Sequence, residues 1–214
     1  NNPFILDIRR HCLLHHLLFK ALFTSTRNPI EYLSMMFGKP FPVKSKEWEK
    51  KPINDLVEYI DRTPADPKLY DKYHREIWNQ INKFGFTLND RDREAVDRIY
   101  RAFFEAGMEV RYIIRDRPMP SNRYFPSYRS VLLETDIKKQ QRNYLATEDG
   151  FQFVRKMQEQ NRIIPITGDL SGEHAVRELG KYLEESGEKI SAFYVSNVEF
   201  YLWRQSGSFE RFVQ

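Results

Sequence analysis

The 214-residue sequence has one cysteine, no long apolar run and no block of like charge, and each shortage narrows the field. Cys12 alone excludes an intrachain disulfide and fits a reducing compartment such as the cytoplasm. No stretch approaches the roughly 18 apolar residues of a membrane-spanning helix. No signal peptide is legible: Asn1-Asn2-Pro3 runs straight into Phe4-Ile5-Leu6-Asp7, which looks like the interior of a domain. The 34 Lys+Arg residues are interspersed with 30 Asp+Glu, leaving a net charge of +4. That balance supports a modest attraction to anionic ligands and does not by itself call for nucleic acid. A Gly-x-Ser-x-Gly elbow, a Walker loop and zinc-knuckle spacing are also missing, as are internal repeats and low-complexity tracts.

What is present is a globular composition. Hydrophobic residues make up 41% and aromatics 14%, enough for one substantial core. Phe4-Ile5-Leu6 is a short apolar run closed by Asp7 and reads as a buried strand. A helix follows, with Leu13, Leu14, Leu17, Leu18, Ala21 and Leu22 on one face. Pro29 opens a second helix that Gly38 stops. Lys39–Lys51, with its prolines and lysines, looks like an exposed loop. Further helices are expected over Ile53–Ile60, Pro67–Phe84 and Asp90–Ala106, the last capped by Asn89 or Asp90. Met108–Pro126 lacks a clean period and reads as a long loop with at most one strand, Val110–Ile114. A short helix is expected near Tyr128–Thr135. Another is capped by Thr147, with Phe151, Val154 and Met157 inward.

Arg162–Leu202 is the most patterned stretch. Ile163–Thr167 is β-branched and apolar, Gly168-Asp169 is a tight turn, and Ser171 is placed to cap a helix with Val176, Leu179 and Leu183 inward. Gly187 ends that helix and Ile190–Val195 reads as the next buried strand. This is a strand–helix–strand unit, and with the N-terminal strand it predicts one parallel sheet. A mostly helical insertion, residues 24–160, interrupts a single α/β domain of residues 1–214.

Ligands of such sheets bind at the carboxyl ends of the strands. Asp7 sits at one such end, where it accepts from ribose hydroxyls, caps the following helix, or pairs with Arg9 or Arg10. Gly168-Asp169 sits at another: glycine permits close backbone approach and Asp169 is an acceptor, though the same pair makes an ordinary turn. Ser196-Asn197-Val198-Glu199 follows the last strand, where Asn197 and Glu199, with Tyr194, face a substrate or simply start a helix. His11 and His15 have metal-compatible i, i+4 spacing but lack a third ligand and the glutamate of a HExxH site. Cys12 flanks the apolar face and reads as a buried small residue. Arg111, Arg115, Arg117, Arg123 and Arg129 alternate with Tyr112, Tyr124, Phe125 and Tyr128. That pattern suits a substrate lid, a nucleic-acid surface, or a solvated loop.

The ordered blocks FILDIRRHCLLHHLLFKALF, RAFFEAG, NYLATEDGFQFVRKMQEQNRIIPITGDLSG and SAFYVSNVEFYL resemble an uncharacterised bacterial family described as having a methyltransferase-like fold. The resemblance spans nearly the whole chain. It implies a Rossmann-like α/β sheet of the S-adenosylmethionine type, entered at its second strand and left before its last strands. It also implies a nucleoside site made by Asp7 with Arg9, and by Gly168-Asp169, while Asn197, Glu199 and Tyr194 face a methyl acceptor. The glycine loop of such enzymes lies upstream of these residues. The expected activity is methyl transfer from S-adenosylmethionine to a small-molecule or macromolecular acceptor. The rivals are a non-catalytic Rossmann-like ligand- or partner-binding protein, and a helical nucleic-acid-binding protein.

Overall fold

The computed structural model describes residues 2–112, 125–195, 198–204 and 207–213. Among them are ten α-helices and two strands, so the chain is mostly helical. It divides into two compact units: Leu14–Arg162, and Asn1–Leu13 together with Ile163–Gln214.

The central unit, Leu14–Arg162, is a helical assembly whose boundaries follow from its caps. It contains most of α1 (Arg10–Ser25), then α2 (Pro29–Met36), α3 (Ile53–Arg62), α4 (Pro67–Lys83), α5 (Asp90–Ala106), α6 (Tyr128–Leu133) and α7 (Glu148–Glu159). Asn28, Asp66, Asn89, Ser127 and Thr147 each accept a backbone N–H at the start of the helix they precede, and Asn89 with Asp92 forms a reciprocal capping box. Proline follows the cap directly in α2 and α4, where its fixed φ suits the first turn.

All eight residues of α2 are buried, so it is the helix about which this unit packs. Phe23 of α1 lies against Tyr32, Tyr144 and Phe151, with ring centroids 4.7, 5.5 and 5.2 Å away. Burying such rings supplies much of a core's stability. Gly38 ends α2 at φ +64°, and a Cβ there would lie 2.6 Å from the Phe104 ring, so only glycine fits.

Charged side chains close the gaps at helix ends. Lys20 donates to the Gln158 carbonyl at the end of α7 and to Asn161 Oδ1, both at 2.6 Å. Lys39 donates to the carbonyls of Ile60 and Thr63 at the end of α3. Burial lowers both ammonium pKa values, yet each cation is a charged donor to carbonyls at a helix end.

The outer unit is much lighter. β1 (Phe4–Asp7) and β2 (Ile164–Thr167) run parallel, with Phe4 opposite Ile164 and Asp7 opposite Thr167. α8 (Ala175–Ser186), α9 (Val198–Arg204) and α10 (Ser208–Val213) complete it. Gly187 caps α8 in the left-handed conformation, and Phe4 meets Tyr182 of α8 edge to face.

These facts correct the expected fold class. A two-stranded sheet within a mostly helical chain is not a Rossmann-like α/β sheet of the methyltransferase type. The expected strand Ile190–Val195 is not in a ladder, and Ile190, Phe193 and Tyr194 are exposed. Apolar β-branched composition describes a segment that suits a half-buried pleat; it becomes a strand only when a neighbour supplies the hydrogen bonds. Ser171 does not cap α8 either, because the helix begins later, at Ala175. Of Val110–Ile114, residues 113–114 lie outside the described residues, and Arg111 forms only an isolated antiparallel bridge with Ser127.

Candidate functional site

The two strand ends that carry Asp7 and Gly168-Asp169 are side by side. The Gly168 N–H donates to the Asp7 carbonyl at 3.0 Å, one step beyond the last ladder pair. Two carboxylates distant in sequence therefore share the carboxyl end of one sheet.

Each carboxylate is held by local bonds. Asp7 Oδ1 accepts from the Arg9 backbone N–H at 2.7 Å and from Arg9 Nε at 3.2 Å, while Oδ2 accepts from Arg9 Nη2 at 3.2 Å. Burial pushes the Asp7 carboxyl up, but the Arg9 hydrogen bonds outweigh it and leave the pKa below its ordinary value. Burial and the Asp7 carboxylate raise the Cys12 thiol to about 11, so Cys12 is a weak hydrogen-bond donor and an inert nucleophile. Asp169 is exposed, and its Oδ1 accepts from Ser171 N–H at 2.9 Å and Ser171 Oγ at 3.0 Å. Ser171 is itself buried, and its carbonyl accepts from Arg211 of α10. The turn is therefore anchored to the rest of its own unit.

Gly168 has a structural reason of its own. A Cβ there would lie 2.2 Å from the Ala175 side chain, so glycine lets the strand end meet the first turn of α8. Its role as a place for close ligand approach is not needed to explain it.

The other expected site residues are not gathered here. Tyr194 is 90% exposed, and Glu199 sits on the exposed side of α9. Neither makes a hydrogen bond or ion pair with Asp7 or Asp169 among the described residues. Asn197 lies outside the described residues, as do Arg115, Arg117, Arg123 and Tyr124. Of the remaining arginines in that alternation, Arg111 pairs with Glu109, and Arg129 pairs with both Glu109 and Asp61. Those two make ion pairs within their own unit. His15 packs edge-on against Phe19. Among the described residues, no group of three or more His, Cys, Asp or Glu is arranged to hold a metal. None of their helices is long and apolar enough to cross a membrane.

One constellation in the helical unit went unread in the sequence. The hydroxyls of Tyr32 and Tyr128 are buried without a properly aligned hydrogen-bond partner, and the Tyr144 hydroxyl lies close enough to perturb both. Burial raises all three phenol pKa values. Tyr144 also lines an open groove of about 450 Å³ with Arg142, Thr147 and Phe153. Each tyrosine looks like an ordinary core aromatic in its own helix or loop, so no local pattern announces that they meet.

The sequence matches, over residues 2–214, the family described as Domain of unknown function (DUF7790), and the chain belongs to that family. No curated protein matches it.

Proposed function

We propose that this member of the DUF7790 family binds a nucleoside-bearing ligand at the paired ends of β1 and β2, with S-adenosylmethionine the first candidate. The observation that carries this reading is the Gly168 N–H to Asp7 carbonyl bond, which sets two acidic strand ends side by side. Carboxylates are the natural acceptors for ribose hydroxyls and for an exocyclic amine.

The residues fit such a group in part. Asp169 uses one oxygen on Ser171 and presents its other at an exposed turn. Asp7 is ionised and oriented by Arg9, whose side chain is about half exposed beside it. If S-adenosylmethionine is the ligand, it supplies an electrophilic methyl group. The work of this chain is then to bind and orient the nucleoside. Methyl transfer to an acceptor is the activity proposed on that basis.

Calorimetry with S-adenosylhomocysteine tests the reading, with adenosine as the smaller probe. Binding by the 214-residue chain that Asp7→Asn weakens at least tenfold supports it. Absence of heat with both probes, or unchanged affinity in Asp7→Asn, overturns it.

A further inference from the structure

The two edges of the small sheet are not equivalent. In a parallel ladder, alternate residues of each strand direct both their N–H and C=O to the same neighbour. Ile164 N–H donates to the Pro3 carbonyl, and Gly168 N–H donates to the Asp7 carbonyl. Residues 3, 5 and 7 of the first strand therefore face β2, and residues 164, 166 and 168 face β1. The outer edge of β2 is left to residues 163, 165 and 167. Residue 165 is proline and offers no donor, so that edge is blunted as exposed edges commonly are.

Among the described residues, the outer edge of β1 carries no such protection. Phe4 and Leu6 turn their N–H and C=O groups outward, and neither is proline. Ile5 and Ile8 beside them are 37% and 64% exposed. A two-stranded sheet is marginal alone; this one is supported by α8, and further strands would add to that support.

We propose that the open edge of β1 pairs with β1 of a second copy, antiparallel about a twofold axis at Ile5. The edge is self-complementary in that arrangement. Phe4 faces the partner's Leu6, and the two exchange both backbone hydrogen bonds; the twofold repeats the exchange, giving four bonds. The side chains brought together are apolar. Asp7, the only charge within the strand, falls opposite the partner's Pro3, so no like charges meet across the seam. The product is one four-stranded sheet, order β2-β1-β1-β2, ending on both sides at a proline-blunted edge. Isologous pairing of this kind closes on itself and leaves no further acceptor edge. The inference stands apart from the ligand reading, since the pairing groups are the outward backbone of Phe4 and Leu6, not the Asp7 or Asp169 carboxylates.

Sedimentation equilibrium of the 214-residue chain tests it, together with two substitutions. Leu6→Pro removes an outward N–H and leaves the bonds to β2 untouched. It should weaken dimerisation by about ten- to a hundredfold, since two donors are lost per dimer. Ile5→Cys, in a Cys12→Ser background, places two thiols at a non-hydrogen-bonded pair. There the Cα atoms stand about 4.5 Å apart, within disulfide range. Oxidised glutathione should link it into a covalent dimer, while Phe193→Cys in the same background should stay unlinked. If Leu6→Pro does not fold, the cross-linking pair alone decides. A chain monomeric at every concentration overturns the proposal. So does a dimer that persists in Leu6→Pro without linking through residue 5, and either result leaves the edge to some other strand.

Discussion

The helical unit and the outer unit differ most in how completely each covers its own apolar surface. Among the described residues, nearly all of the buried apolar side chains, from Leu14 to Met157, lie in the helical unit, and Leu183 and Leu202 are the outer unit's share. The outer unit, less than half as long, exposes Ile190, Phe193, Tyr194, Phe200 and Trp203 by more than half, against Val43, Phe86, Ile137 and Phe153 in the helical unit. The first is stabilised by its own packing. The second carries the paired strand ends and buries few apolar side chains of its own. Candidate binding sites are commonly drawn from the less stable part of a molecule, and the division here follows that pattern.

The largest expected effect lies in the helical core. Phe151 is fully buried against Phe23 and Tyr32. Phe151→Ala should cost about 3–5 kcal/mol, measured by urea unfolding. Ile8→Ala in the outer unit removes a 64% exposed side chain and should fall within about 0.5 kcal/mol. Similar losses for both would erase the contrast between the units.

Glu31 gives the next effect. Its carboxylate is buried on α2 and accepts from Arg27 Nη2 and from Ser45 Oγ, each at 2.7 Å. Glu31→Gln should cost about 2–3 kcal/mol, since hydrogen bonds to a charged group are lost. The pH dependence has a definite sign. Burial pushes this carboxyl up, but the bonds from Arg27 and Ser45 prevail and hold its pKa below the ordinary value. Its contribution is therefore complete above the unfolded value near 4.3 and fades as pH falls through the lower folded value. Acid unfolding of Glu31→Gln should begin from a lower stability and show a shallower slope in that window.

Lys20→Met should follow at about 1–2 kcal/mol, because the Gln158 carbonyl at the end of α7 loses its charged donor. Last, Asp169→Asn should change stability by less than about 0.5 kcal/mol, as the residue is exposed at a turn. It should nevertheless weaken S-adenosylhomocysteine binding. A large stability loss would mean that Asp169 is a structural turn residue only.

The helices were legible because their signals are local. Pro29, Pro67, Asn89 and Thr147 mark helix starts within the chain itself, and all four boundaries appear there; the caps Asn28 and Asp66 and the capping partner Asp92 went unread. That Asp7 and Gly168-Asp169 end parallel strands of one sheet was expected from two short apolar runs ending in turn residues; that these two strands pair directly went unread. Ile190–Val195 failed because a strand is defined by its neighbour, which composition cannot supply. The Rossmann-like sheet failed with it, since that expectation stood on three strands joining. Gly168 was placed beside a turn, and the close approach it permits is to Ala175 of α8, which went unforeseen in the sequence. The meeting of Tyr32, Tyr128 and Tyr144 depends on how three separate segments pack and left no trace in any one of them.

The contrast between the units and the ligand reading meet in one measurement, amide hydrogen exchange on the 214-residue chain with and without S-adenosylhomocysteine. The prediction is slow exchange in α2 and α7 regardless of ligand, fast exchange in α8, α9 and α10 of the outer unit, and ligand-induced slowing centred on Ile8–Arg9 and Gly168–Gly172. Uniform protection across both units, or slowing that leaves those amides unchanged, would contradict the account.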